Sequence, residues 1–438
     1  MDRTLQRLED VVLAKLKGRF ANLRTPEERN ELITSVLKTL SIEISNEEVQ
    51  EVINDIADLA PINEMLVNDD VEDIMVNNTN NIFVQTSSEG CKKFGKKLEN
   101  TDELCRFVDK LKLYATNEAA KGSILDVHLP SGSRANIISS PLGYDVTIRN
   151  FKKSPLSILD LINRREFDYD MAARLWLYVD GLKVRPANLL IGGMPAAGKT
   201  TLLNAMFSFF RPEQRIVTLE ETYELDTETQ ENCVRLETSE DMSMEDLVKN
   251  ALRMRPDMII VGEVRGAEAN DMITAMNIGK ISMGTIHASS TRDIVNRLLH
   301  TPMNVPKDII PVIDALVIVS LVYANGKPYR AITQVSEVSG IETQVLLSDL
   351  YKFDYRTFKG SAILPSVTYR DTVAKLLGIP PSDILGEERV RAVVLEKMNQ
   401  LGKRDMRSIN EMVKNYYDNP DETCKKLGVT GVSPVIKV

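Results

Sequence analysis

The stretch Gly193-Met194-Pro195-Ala196-Ala197-Gly198-Lys199-Thr200 decides how this chain is read. It matches G-x-x-x-x-G-K-[ST], and its surroundings have the order that motif requires. The apolar run Asn188-Leu189-Leu190-Ile191 predicts a strand leading in. Thr201-Leu202-Leu203-Asn204-Ala205-Met206-Phe207 predicts a helix leading out. Phosphate chemistry explains the residue types. Glycines let backbone N–H groups turn inward around phosphate oxygens, and a helix N-terminus adds partial positive charge. Lys199 is expected to reach the β- and γ-phosphates, and Thr200 to place its hydroxyl on Mg²⁺. The expected nucleotide contacts are therefore Gly193, Pro195, Ala196, Ala197, Gly198, Lys199, Thr200 and Thr201, with ATP and Mg²⁺ as ligands.

Outward from this loop, residues 156–348 alternate apolar strands with helices, the pattern of an α/β domain around a largely parallel sheet. Strands are predicted at 187–192, 215–219, 258–262 and 282–286. A hairpin follows at 316–323 and 328–336, turned at Asn325-Gly326. Ligands of open α/β sheets bind beyond the carboxyl ends of the strands. There the chain carries Glu220 and Glu221, then Glu263 and Arg265, then His287. A carboxylate beside Mg²⁺ and the γ-phosphate orients or deprotonates the attacking water. Glu263 stands where a metal-holding strand-end acid belongs, and Glu220 is a candidate water-activating base. His287, directly after a strand, is a candidate γ-phosphate sensor or interface contact, while His128 and His300 are read as structural.

The flanks differ in texture. Residues 1–60 read as a small helical bundle, with stripes at Leu5, Leu8, Val12 and Leu16, at Leu32, Val36, Leu37 and Leu40, and at Val49, Val52, Ile53 and Ile56. Residues 61–150 read as an α+β domain, with short β-rich runs at 82–84 and 134–138 and a helix around 101–116. Ser154-Pro155 marks a linker or hinge. From about 349 to 438 the pattern is helical, with a stripe at Val390, Val393, Val394, Met398 and Leu401.

Composition narrows the function classes. The 438 residues carry 54 Lys+Arg against 63 Asp+Glu, a net charge of −9, which argues against a general nucleic-acid binder. The four cysteines form no C-x-x-C pair, so neither a zinc module nor a disulfide framework is indicated. The most apolar run, 315–324, has about half the length a bilayer span needs. The expectation is a soluble intracellular protein, with any membrane role peripheral or through a partner.

The ordered set of the loop, Leu219-Glu220-Glu221, Leu252-Arg253-Met254-Arg255-Pro256-Asp257, Val261-Gly262-Glu263-Val264-Arg265-Gly266 and Gly284-Thr285-Ile286-His287-Ala288 resembles the secretion ATPase superfamily. That superfamily serves type II and type IV secretion, type IV pili and archaeal motility filaments. These segments are similar to its Walker A, Asp box, Walker B and His box. The likeness covers roughly residues 60–350 and looks closest to the tight-adherence and archaeal pilus branch. It implies a RecA-like P-loop core with an α+β N-terminal domain and helical ends. It also implies a ring, usually a hexamer, at the cytoplasmic face of a membrane, where ATP clamped between the two domains moves a polytopic platform protein. Catalytic residues carried over are Lys199, Glu220, Glu263 and His287, with Arg134 and Arg149 as phosphate-contacting arginines and Arg265 in a charge-neutralising or interface role. Metal ligands carried over are Thr200, Glu221 and Glu263.

Three departures stand out. Glu221 replaces the usual aspartate of the Asp box. Gly279-Lys280 stands where Gly-His usually opens the His box. Pro195 and Ala197 occupy loop positions where glycine and serine are common. Two further functions therefore stay open beside a filament motor: a conjugation-type secretion ring, and a nucleotide-binding scaffold with little turnover.

Overall fold

The computed structural model describes residues 3–21, 23, 25–40, 44–115, 123–150, 155–239, 241–324 and 327–435. The chain divides into two compact units, Met1–Ser154 and Pro155–Val438. Of the predicted hinge, Ser154 lies outside the described residues, as does the Asn325-Gly326 turn.

The first unit opens with α1 (Arg3–Leu16), α2 (Pro26–Lys38) and α3 (Asn46–Ala57). Capping boxes at Thr25 with Glu28 and Ser45 with Glu48 start α2 and α3, satisfying backbone donors that a helix start leaves open. The predicted stripes face inward: Val12, Leu16, Val36, Leu37, Val52, Ile53 and Ile56 form one core. After α4 (Asn63–Leu66) come β1 (Val71–Asn78), β2 (Asn81–Thr86), β3 (Gly90–Lys93), α5 (Thr101–Lys112), β4 (Ile124–His128), β5 (Arg134–Ser140) and β6 (Gly143–Arg149). The strands form an antiparallel sheet in the order β3-β2-β1-β6-β5-β4. Leu104, Phe107, Val108 and Leu111 of α5 share its core. The bundle is tied to α5 through Lys110, whose ammonium lies 3.1 Å from the buried Glu9 carboxylate.

The second unit begins with α6 (Ile158–Asn163) and α7 (Tyr169–Asp180), and then alternates. Its elements are β7 (Leu189–Gly192), α8 (Lys199–Met206), β8 (Ile216–Glu220), β9 (Cys233–Glu237), α9 (Met244–Ala251), β10 (Met258–Val264), α10 (Glu268–Asn277), β11 (Ile281–Ile286) and α11 (Thr291–Leu299). An antiparallel meander, β12 (Ala315–Ala324), β13 (Lys327–Ile341), β14 (Val345–Asp354) and β15 (Lys359–Ala362), precedes α12 (Thr368–Leu377), α13 (Pro381–Gln400), α14 (Met406–Asp418) and α15 (Pro420–Leu427). The nine strands run β15-β14-β13-β12-β7-β11-β10-β8-β9, parallel from β12 to β9. From β7 the chain steps over two strand positions to β8 and later fills the gap with β10 and β11.

Each central strand is apolar on both faces, as a parallel sheet covered by helices requires. Leu189, Ile191, Ile216, Met258, Ile260 and Val317 join the core of α7, α8 and the C-terminal helices. Leu190, Val217, Ile259, Val261 and Ile318 join the core of α9–α11 on the other face.

Two sequence expectations need correction. The helical pattern does not resume at 349: β14 and β15 carry the sheet to Ala362, and helices resume at Thr368. Asp349, Lys352 and Asp354 interrupt the apolar run of β14, so its pairing with β13 is what makes it a strand. The edge strand β9 was also unforeseen, because Cys233-Val234-Arg235-Leu236-Glu237 is only half-buried and mixes charge with apolar residues. In α13 the stripe holds at Val390, Val394 and Met398, with Val393 half-buried, but Leu401, just past the helix end, is exposed. The helix also buries Glu387, Glu388 and Arg391, which no apolar stripe reveals.

Candidate active site

The loop between β7 and α8 has the shape its sequence implies. A Cβ on Gly193 would stand 2.6 Å from the Val319 carbonyl oxygen, so no side chain fits there. The Gly193 N–H donates to the Ile286 carbonyl at 3.2 Å, tying the loop to β11. Gly198 has φ +98° and Ala196 φ +60°. The non-glycine residue of the loop in a glycine-type conformation is thus Ala196, which is neither of the two loop departures; the ring of Pro195 holds its φ negative. Ala197 is buried and Pro195 exposed. Helix α8 starts at Lys199 with no side-chain cap, leaving its first-turn N–H groups for another acceptor. Thr200 and Thr201 are half-buried in that turn.

Five predicted residues meet beyond the strand ends in one chain of contacts. Lys199 Nζ lies 3.4 Å from His287 Nδ1. An ammonium has no acceptor, so Nδ1 must accept and the ring proton sits on Nε2. Nε2 in turn contacts a carboxylate oxygen of Glu263. The other Glu263 oxygen accepts from Arg265 Nη2 at 2.6 Å, and Arg265 Nη1 donates to Glu221 at 2.7 Å. Desolvation, followed by the charge of Lys199, lowers the His287 pKa, so the ring is neutral near pH 7. Burial also lowers the Lys199 pKa, and Glu263 partly restores it.

Glu220 is not in this chain. It ends β8, 2% exposed, with Oε1 accepting the N–H groups of Glu224 at 2.8 Å and Leu225 at 2.9 Å. Arg235 Nη2 stands 4.0 Å from Oε2. Burial pushes the carboxyl up to about 7, against the two N–H bonds that favour its ionised form. Asn204 of α8 holds the same turn, through the Glu224 carbonyl at 2.8 Å and the Asp226 N–H at 2.7 Å. Glu220 thus anchors the acidic loop that presents Glu221.

In the first unit, Arg134 and Arg149 are cross-strand partners on β5 and β6, and Asp73 faces Arg149 from β1. Arg149 Nε donates to Asp73 at 3.2 Å, and Arg134 pairs with Asp126 at 3.2 Å. Like charges directly opposite repel, and these aspartates offset that. His128 and His300 are exposed. Lys280 stands at the amino end of β11, with Nζ 3.4 Å from the Pro256 carbonyl.

Sequence reasoning missed two supporting residues. Glu268, at the start of α10, accepts the N–H groups of Arg265 at 2.6 Å and Gly266 at 2.7 Å. A glutamate three residues after Arg265 is a turn-capping signal that was there to be read. Arg330 of β13 donates to the Ala196 carbonyl at 3.0 Å from 134 residues away, and no local signal announces it.

Known proteins bear on this site. The family profile for type II/IV secretion system proteins matches residues 55–324. A protein of Methanocaldococcus jannaschii is 33% identical over 313 residues, covering 67% of this chain and 56% of its own length. The chain therefore spans little more than half of that relative. The type IV secretion system protein VirB11 of Bartonella henselae is 27% identical over 273 residues, 53% of this chain and 76% of that protein. Among solved structures, the Legionella pneumophila ATPase DotB gives a TM-score of 0.49 at 18% identity, over 80% of this chain and 93% of that one. With the family match running from the last turn of α3 to the end of β12, the chain belongs to the type II/IV secretion system protein family.

Proposed function

We propose that this protein is a Mg²⁺-dependent ATPase. It works as a ring of identical subunits at the cytoplasmic membrane face and drives assembly or retraction of a pilus-like filament, or secretion. The observation that carries the reading is the contact chain Lys199–His287–Glu263–Arg265–Glu221 beside an uncapped helix and a glycine-cradled loop. Lys199 and the loop N–H groups receive the phosphates. Glu263 polarises the attacking water, with His287 Nε2 set against one of its oxygens. Arg265 is the mobile member: bound to both Glu263 and Glu221, it turns toward phosphate charge when nucleotide enters.

Among the described residues no three His, Cys, Asp or Glu converge as a metal cage. Mg²⁺ needs none, because it keeps waters and takes few protein oxygens. Thr200, Glu221 and Glu263 supply hard oxygen donors of the right kind. Mg²⁺ held there would offset phosphate charge. No helix among the described residues is long and apolar enough to cross a membrane. In this reading the link to the membrane is a polytopic platform protein. The likeness to a conjugal transfer protein of Rhizobium radiobacter, 40% identical over 115 residues, favours a second reading, export through a conjugation-type channel.

The test is Mg²⁺-dependent ATP hydrolysis by the purified chain, beside Lys199→Ala and Glu263→Gln, with sizing in a non-hydrolysable ATP analogue. Turnover reduced at least 100-fold by Glu263→Gln, with nucleotide binding and ring formation kept, supports the motor. Tight ATP binding without turnover, even with lipid and platform protein, sinks it in favour of a scaffold. Monomers alone in analogue and Mg²⁺ sink the ring.

A further inference from the structure

We propose that Arg330 is a positioning residue of the phosphate loop. Its Nε–H, donated to the Ala196 carbonyl, holds the left-handed turn that aims the loop's N–H groups at the nucleotide's β-phosphate. The inference rests on the nucleotide-site reading above.

The loop departs from what its backbone asks for. Ala196 sits at φ +60°, a region glycine enters freely and alanine enters at a cost. Alternating right- and left-handed residues turn successive N–H groups to one side, making an anion cradle. Carbonyls displaced by such turns need donors of their own. Arg330 supplies one, at 3.0 Å.

The arginine stem adds a second hold. Its Cδ lies 3.3 Å from where a Cβ on Gly198 would stand, so the stem lies over the other left-handed residue of the loop. Arg330 pairs with Leu321 across the β12–β13 hairpin, and Val319 of the same hairpin sets its carbonyl against Gly193. The hairpin therefore grips both ends of the loop, and Arg330 takes its middle. This compensates within the fold for an alanine at a glycine position.

Two substitutions separate the hydrogen bond from the charge. In Arg330→Gln, Nε2 stands as many bonds from the backbone as arginine Nε, so a donor is kept and the charge removed. Arg330→Met keeps the stem and removes the donor. Calorimetric titration with Mg-ADP is run on the full chain and both variants, with Ala196→Gly added to Arg330→Met as a fourth sample. Arg330→Met is expected to weaken Mg-ADP binding about tenfold, the scale of one lost hydrogen bond. Arg330→Gln is expected to recover most of that loss, and Ala196→Gly to recover part of it, because glycine needs no outside hold. Neither recovery is expected of a residue that merely supports the fold.

Unchanged binding by Arg330→Met overturns the proposal. So does Arg330→Gln binding as weakly as Arg330→Met, which would assign the effect to charge. Should Arg330→Met not fold, as judged by circular dichroism, Arg330→Gln decides alone: a tenfold loss there overturns the role and near-native affinity supports it. Parent protein that binds no Mg-ADP overturns the nucleotide reading itself, a result distinct from any difference between variants.

Discussion

The second unit holds two networks built from the same chemistry, and they differ in their access to water. In the site, Arg265 bridges Glu263 and Glu221, with side chains 52%, 20% and 47% exposed. Under the C-terminal helices, Arg391 bridges Asp180 and Glu387, and all three are 2% exposed or less. Arg391 makes two bonds to Asp180 at 3.0 and 2.8 Å and one to Glu387 at 3.0 Å, and it stacks 4.6 Å over Trp176. Tyr416 donates to Glu387 at 2.8 Å, and the Val435 N–H donates to its other oxygen at 3.1 Å. Exposed pairs exchange partners at little cost. A buried pair strands a charge when one member leaves. An arginine between two acids is thus a movable part in one place and a fixed joint in the other.

The largest effect should come from the fixed joint. Arg391→Ala is expected to cost about 3–5 kcal/mol of unfolding free energy, the scale for orphaning buried charges. Arg265→Ala should stay within about 1 kcal/mol. Urea unfolding monitored through Trp176, the chain's one tryptophan and a neighbour of Arg391, reads both. Equal losses would erase the distinction.

Glu220 lies between these extremes, since it borders the site yet is buried. Its folded pKa of about 7 exceeds the ordinary 4.5, so the folded state holds the proton longer than the unfolded chain. Stability from this group is complete below about pH 4.5 and is lost as pH rises through 7. Glu220→Gln should flatten that fall, by on the order of 1–3 kcal/mol between pH 5 and 8. Urea midpoints of nucleotide- and Mg²⁺-free protein across this range test it. A parallel pH profile in parent and variant would mean that the carboxylate is ionised throughout.

Legibility followed the same division. The loop, four parallel strands and the strand-end residues were readable because each lies in a short segment with its own pattern. Lys199, Glu263, Arg265 and His287 were found one by one at strand ends, and the parallel pairing of β7, β11 and β10 brings them together. Asp180 and Arg391 were not readable as a pair, because 211 residues separate them and each alone resembles a solvated charge on a helix. Arg330 was hidden for the same reason. Strand β14 was missed because its charges face partners on β13 and within β14 itself, such as Gln334 and Lys352 around Asp349. Glu220 was found by position, but its use as a loop anchor depends on N–H groups of residues 224 and 225, which only the folded turn brings to it.

The smallest effect should come from Lys280, the most conspicuous departure in the sequence. It precedes β11, whereas His287 follows it, so the extended strand sets them roughly 20 Å apart at about 3.3 Å per residue. That is about twice the distance over which salt leaves exposed charges in touch. Its ammonium reaches the Pro256 carbonyl, at the amino end of β10, on the side of the sheet opposite the phosphate loop. Lys280→His, which restores the residue usual at that position, should therefore leave ATP turnover within about twofold. Stability should change by no more than about 0.5 kcal/mol. A tenfold change in turnover would mean that β11 transmits events from its amino end to His287. The half-exposed network would then be coupled through the rigid sheet, and the contrast between a movable site and a fixed frame would have to be drawn elsewhere.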